Sequence, residues 1–178
     1  MSAESLREPV MVPLSDGACA RLRPIRPEDA PRLRAFHSRL SPNTIYLRWL
    51  AAHPVLSAAE AAQLSEVDTL TRMAYIATTG EADSEQIVGV ARYGLVEPGE
   101  AEAAVVVEDA YQGRGLGTAL LGRLMEYAKT QGVRAWLAEI NAENARMLRF
   151  INRDGFPVAR RFEGGSVQVR MDISNDKG

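Results

Sequence analysis

Gln112-Gly113-Arg114-Gly115-Leu116-Gly117 is the stretch of this 178-residue chain whose residue types and spacing are best suited to hold a ligand. Glycines at 113, 115 and 117 carry no Cβ, so the backbone can turn tightly and approach a bound group closely. The run Ala101-Glu102-Ala103-Ala104-Val105-Val106-Val107 ahead of it reads as a strand. Behind it, Leu116, Leu120, Leu121, Leu124, Tyr127 and Ala128 recur at helical spacing. A glycine loop that opens a helix turns the free N–H groups of the first turn outward, where the macrodipole favours an anion. Arg114 adds positive charge at the same spot. The chemistry is that of a phosphate or pyrophosphate site; a glycine-rich helix start that binds nothing is the alternative.

Two familiar phosphate loops fit poorly. A P-loop needs Gly-Lys-Ser/Thr at the helix start, and no lysine lies here. A dinucleotide fingerprint beginning at Gly113 needs a small residue where Thr118 stands, although Glu139 could serve by position as its acidic partner. The pattern that fits is Gln/Arg-x-x-Gly-x-Gly. Other reactive residue types offer less. Cys19 has no histidine near it in sequence, so an acyl-cysteine mechanism has no support. His37 and His53 fall in a helical region and read as structural or exposed. There is no Cys/His cluster to ligate zinc, and no metal is expected.

The elements that must position the loop follow from periodicity and punctuation. Residues 1–16 read as a loose arm with at most one short extended piece, and 17–178 as a single domain. Ala18 to Ile25 alternates like an edge strand. Pro27-Glu28-Asp29 starts a helix with the stripe Leu33, Phe36, His37 and Leu40. Ser41 caps a second helix running through Leu50, and a third covers Ala58 to Leu64. These helices are expected to cap one side of a sheet. Met73–Thr79 and Gln86–Tyr93 are strands around a polar hairpin loop, and Glu97-Pro98-Gly99-Glu100 turns into the strand before the glycine loop. Gln131-Gly132 stops the long helix. Ala135–Ile140 is a strand, Asn141 caps a short helix ending near Asp154-Gly155, and a closing hairpin turns at Gly164-Gly165. The order predicts an α/β fold: a mixed, mostly antiparallel sheet with helices on both faces and one parallel crossover.

Composition narrows the function classes. A net charge of −2 gives no bulk attraction to nucleic acid or to an anionic membrane. No apolar run reaches transmembrane length. One cysteine excludes an intrachain disulfide and, with an N-terminus unlike a signal peptide, leads to the expectation of a cytoplasmic protein.

The loop Gln112–Gly117 resembles the acetyl-CoA pyrophosphate loop of the GNAT superfamily of N-acetyltransferases. A second segment, Asn144-Ala145-Arg146-Met147-Leu148-Arg149-Phe150-Ile151 running on to Gly155-Phe156, resembles the downstream segment of the same family, in matching order and spacing. Leu22-Arg23-Pro24-Ile25-Arg26-Pro27-Glu28-Asp29-Ala30 looks like its common entry. Ser41-x-x-Thr44-x-Tyr46-x-Arg48, the Ala101-Glu102 strand entry and Asn144-x-x-Met147-Leu148 resemble the bacterial protein-lysine acetyltransferases in particular. The resemblance implies a GNAT-like fold and direct transfer of acetyl from acetyl-CoA, as cosubstrate, to a primary amine, plausibly a protein lysine. The backbone of Val105, Val106 and Val107, whose strand end would splay away from its neighbour, would carry the pantetheine arm, and Gln112, Gly113, Arg114, Gly115, Leu116 and Gly117 the pyrophosphate. Asn144 would hold the arm from the other side, unless it merely bonds its own helical turn. Glu102 stands where related enzymes carry a catalytic glutamate, and its alanine neighbours could enclose it; the alternative is a solvated carboxylate. Glu108 and Asp109, too negative for a phosphate site, are expected to face solvent. The tyrosine that many members place seven residues after the asparagine is Ile151 here, so no general acid is assigned. An acyl-CoA-sensing module without turnover, and an acetyltransferase for small-molecule amines, are the alternative functions. Oligomeric state and acyl-chain preference stay open.

Overall fold

A computed structural model describes residues 2–153 and 156–174. Asp154 and Gly155 of the second motif lie outside the described residues. The elements are α1 (Ala3–Arg7), β1 (Val10–Pro13), β2 (Cys19–Pro24), α2 (Ala30–Arg39), α3 (Pro42–Trp49), α4 (Ala58–Ser65), β3 (Arg72–Thr79) and β4 (Gln86–Glu97). They continue as β5 (Glu100–Val107), α5 (Leu116–Thr130), β6 (Ala135–Asn141), α6 (Ala145–Arg153), β7 (Val158–Glu163) and β8 (Ser166–Asp172). The described strands form one sheet in the order β1-β2-β3-β4-β5-β6-β8-β7. Every adjacent pair is antiparallel except β5 with β6, which the crossover helix α5 joins in parallel. This is the mixed sheet that the order of elements predicts.

Apolar residues from both faces of the strands build two cores. On one face α5 packs Leu116, Leu120, Leu124 and Tyr127 against Tyr75, Val88, Ala91 and Ala101. On the other, Leu33, Phe36 and Leu40 of α2, Ile45 of α3 and Ala61 of α4 cover Ala74, Ile76, Ile87 and Val90. The helices capping one face are therefore α2 to α4, as expected. A smaller core joins α6, through Ile151, to Ile140, Val167 and Val169. Gly89 lets α5 lie close on the sheet: a Cβ there would stand 2.9 Å from Leu120 Cδ1.

Three sequence expectations need correction. Residues 1–16 are not a loose arm: Leu6 is fully buried in the main core, and β1 pairs with β2. The isolated apolar positions Leu6, Val10, Val12 and Leu14 are too few to show a period, yet each finds a partner in the core. In consequence β2 is an inner strand, flanked by β1 and β3, and β1 takes the edge. The cap of α6 is Asn144, whose Oδ1 accepts from Met147 N–H at 3.1 Å; Asn141 ends β6 instead, its Oδ1 accepting from Glu143 N–H. Both asparagines suit a helix start, and only the sheet register with Ser166 decides between them.

Candidate functional site

The site arises where two paired strands part. Strands β5 and β6 are in register only from Glu100–Ala135 to Glu102–Leu137. Beyond that, β5 continues to Val107 and β6 to Asn141 without pairing to each other. Glu108 N–H donates to Val88 O on β4. By strand alternation the polar backbone groups of Val106 therefore face β4, while those of Val105 and Val107 face the parting. Of the three valines expected to offer backbone, two are turned the right way. Buried N–H and C=O groups are almost always paired, so an open strand side within a fold invites a ligand with amide groups of its own.

The glycine loop closes one end of this opening. Gly113 and Gly115 adopt φ of 77° and 87°, the left-handed region that favours glycine, and nothing lies within 4 Å of where their Cβ atoms would stand. Gly115 is the N-cap of α5 and offers no side-chain acceptor. The first helical bond is Ala119 N–H to Gly115 O at 3.1 Å, which leaves the N–H groups of Leu116, Gly117 and Thr118 without helical acceptors. The Leu116 side chain is in the core, so only its backbone can serve a ligand.

Gln112 is built into the protein rather than free. Its Nε2 donates to Val107 O at 3.0 Å and to Thr44 Oγ1 at 3.1 Å, and its Oε1 accepts from Arg146 Nη1 at 2.6 Å. Arg114 is also engaged: Nη1 reaches Asp16 Oδ2 at 2.5 Å, and the guanidinium lies over the Tyr111 ring. Its charge at the loop is thus partly answered by the β1–β2 turn. Arg146, in the first turn of α6 and across the cleft from the loop, is a second cation there; its place two residues after Asn144 was the available sequence clue.

Glu108 is partly buried instead of facing solvent, whereas Asp109 is exposed as expected, yet both are engaged. Glu108 accepts three hydrogen bonds from Arg39 at 3.0 to 3.2 Å. Asp109 accepts from Ser41 N–H, Ser41 Oγ and Thr44 Oγ1. Burial would raise the Asp109 carboxyl, but these hydrogen bonds outweigh it and hold it below the usual carboxylate range. Ser41-x-x-Thr44 therefore reads as a cap that ties α3 to the glycine loop. Arg39 offsets the Glu108 charge, whereas Asp109, held by neutral donors, keeps its charge at the edge of the cleft.

Two connected cavities follow. A cleft of about 750 Å³ runs from Gln112, Gly113, Gly115 and Gly117 along Val105–Val107 to Asn144, Met147 and Phe150. An inner cavity of about 260 Å³ continues from it between Ala103–Val105 and Ala138–Ile140. Asn144 lines both, so although its Oδ1 caps α6, the residue still sits where sequence placed it, opposite β5. Trp136 also lines the inner cavity, with its buried Nε1–H lacking an acceptor among the described residues.

Glu102 lines the inner cavity and is exposed, not enclosed by its alanine neighbours. The reason is strand alternation: Ala101 and Ala103 pack into the α5-side core on the opposite face. Its carboxylate accepts no hydrogen bond among the described residues. Glu139, on the neighbouring strand, is a second carboxylate at this cavity, but it accepts from Ser166 Oγ at 2.6 Å. Ile151 is buried with Ile140, Val167 and Val169, and no tyrosine among the described residues lines the inner cavity. Among the described residues no group of His, Cys, Asp and Glu could hold a metal ion. His37 is buried, its Nε2 2.7 Å from His53 O, and serves the packing around Trp49.

Comparison with known proteins points the same way. The sequence profile of the Acetyltransferase (GNAT) family matches residues 43–156. An acetyltransferase of Pseudomonas aeruginosa is 36% identical over 157 residues, 88% of this chain and 84% of that protein. Acetyltransferase Pat of Mycolicibacterium smegmatis is 31% identical over 93% of this chain, which spans 49% of that protein. The crystal structure of the GNAT domain of S. lividans PAT superposes with a TM-score of 0.84 at 34% identity, covering 92% of this chain and 96% of that one.

Proposed function

Because this chain belongs to the GNAT family of acetyltransferases, and so is an N-acetyltransferase, we propose that its acceptor is the ε-amine of a protein lysine, with Glu102 as general base. The observation that carries the site is the parting of β5 from β6 beside a helix start with unanswered N–H groups. A long ligand with a pyrophosphate at one end and amides along its arm fits that surface. Acetyl-CoA, the donor used by the family, supplies the acetyl group as a thioester. Val105 and Val107 would bond its arm, Asn144 would face it, and the backbone of Gln112 to Thr118 would receive its phosphates with Arg146 and Arg114 near by. The open space at Gly113 and Gly115, where any Cβ would intrude, supports that fit.

At neutral pH far less than ~1% of a lysine amine is uncharged, so its proton must be taken before it can attack. Glu102 is a carboxylate that accepts no hydrogen bond among the described residues at the inner cavity and can receive that proton directly or through water. Glu139 is the weaker candidate because Ser166 already occupies it. The leaving thiol has an ordinary pKa near ~8.5, so a thiolate departs without a strong acid, in keeping with Ile151. The likeness to Pat supports a protein acceptor, and so does the inner cavity, whose Leu47, Trp49 and Ile140 walls suit the methylene stem of a lysine.

The test is a steady-state comparison with acetyl-CoA as donor. A folded lysine-rich protein is expected to be acetylated faster than free amino acids or polyamines at equal amine concentration. Faster turnover of the small amines would replace the protein-lysine reading with the small-molecule one.

A further inference from the structure

Arg48 ends a sequence pattern whose other members are accounted for: Ser41 and Thr44 tie α3 to the loop, and Tyr46 faces outward. Arg48 instead turns into the site and lines both cavities, in the inner one together with Glu102. It is half-buried, and its guanidinium lies over the Trp49 ring at 4.9 Å. None of its five N–H donors reaches an acceptor among the described residues. A stacked guanidinium keeps its edge free, and that edge matches a carboxylate in two parallel hydrogen bonds.

A second cation stands behind it. Arg92 lies across from Ala104 on β4, on the same face as Glu102, and gives one hydrogen bond, Nη1 to Leu64 O at 3.2 Å. Burial pushes the Arg92 guanidinium down to about 10, and the like charge of Arg48 adds to that. Burial likewise lowers Arg48, against the opposing pull of Glu102. Of the charged groups facing this pair, Glu102 is the one carboxylate that acts on Arg48, and Glu139 is held by Ser166. Arg92 stays outside the cavity, so among the described residues lining the inner cavity Arg48 is the one cation, beside Glu102 and Glu139, and its outer edge is unanswered. A desolvated guanidinium edge without an acceptor is matched by an anion that accompanies the amine.

We propose that Arg48, backed by Arg92, receives a carboxylate carried by the acceptor close to its amine. This rests on the acetyltransferase reading above and narrows its acceptor. The carboxylate has two possible sources, an acidic side chain next to the target lysine or the α-carboxylate of a free amino acid. Trp49 orients the guanidinium by stacking, and Glu102 stays beside the amine on the other side.

The experiment uses the full chain, acetyl-CoA and matched acceptor pairs. One arm compares lysine peptides flanked by Asp or Glu with the same peptides carrying Asn or Gln. The other compares amino acids with their carboxamides. The carboxylate member of at least one arm is expected to win in kcat/KM by roughly 10- to 100-fold, the scale of a hydrogen bond between charged groups. The winning arm identifies the source. Arg48→Gln should bring that ratio close to one, and Arg48→Lys should restore part of it, with acetyl-CoA affinity reporting that each variant is folded. Calorimetric binding of the N-acetylated product and of its carboxamide to the CoA-loaded protein should show the same ratio without turnover. No preference in either arm, or a preference that survives Arg48→Gln, overturns the carboxylate site. A chain that turns over nothing yet binds the carboxylate product better overturns the acetyl-transfer reading and leaves the carboxylate site standing.

Discussion

Glu102 and Glu139 look alike in composition and differ in what holds them. Both lie at the inner cavity, but Ser166 binds one and nothing among the described residues binds the other. Glu102→Gln keeps the shape and removes the proton acceptor, so turnover should fall by about 10²- to 10⁴-fold. Acetyl-CoA affinity should stay near the parent value, because loop and strand backbone would carry the cofactor. Glu139→Gln should cost far less. Steady-state rates of both variants, with calorimetric acetyl-CoA titrations, decide it; undiminished turnover of Glu102→Gln would make that residue an ordinary surface carboxylate. The family resemblance led to Glu102, which stands where related enzymes carry a catalytic glutamate. Arg48 and Glu139 were not singled out as site residues, since only the pairing of β5 with β6 and the turn of α3 bring them to the same cavity.

At the scale of elements, the tie between β2, the turn before α2 and the β3–β4 connection is a buried ion cluster. Arg23, 7% exposed, donates to Asp29 Oδ2 at 2.7 Å and Oδ1 at 2.8 Å, and to Glu85 Oε2 at 3.0 Å. Burial alone would raise both carboxyls; the hydrogen bonds from Arg23 outweigh it and hold both below the usual range. An acid whose pKa is lower folded than unfolded stabilises the fold fully above its unfolded value, near ~4, and that stabilisation is lost as pH falls through the folded value. Asp29→Asn should therefore cost about 3–5 kcal/mol near pH 7, as for one partner removed from a buried pair. In denaturant titrations the gap between parent and variant should narrow as pH drops below ~4; a gap constant down to pH 2 would mean that the charge is not what matters. The same cluster shows what pattern reading can and cannot see. Pro27-Glu28-Asp29 announces a helix start in sequence, whereas the arginine that Asp29 meets lies on a strand and is visible only in three dimensions. The loop-flanking Glu108 was misread for the same reason, its partner Arg39 being far away in the chain.

Over the whole molecule, the order of elements and the single parallel crossover were legible because each strand and helix carries its own period. The parting of β5 from β6 was implied by the family resemblance and not by the residues themselves, since a strand's composition looks the same paired or unpaired. The ordered N-terminal residues escaped notice because their few apolar positions make sense only against α5 and β3. The central claim is that this parting and the glycine loop together seat CoA. Amide hydrogen exchange measures it where it should happen. At about 100 times the dissociation constant, a ligand adds about 2.7 kcal/mol to the state that binds it. The N–H groups of Val105, Val107 and Leu116 to Thr118 should slow markedly on adding CoA, while Val106, already turned to β4, should change less. Gly115→Asp should abolish that protection, because a non-glycine residue is strained at φ of 87° and the new charge repels phosphate. Protection at the loop and at Val105 and Val107, lost in the variant, is the result expected; CoA binding with no change at these amides would contradict the account.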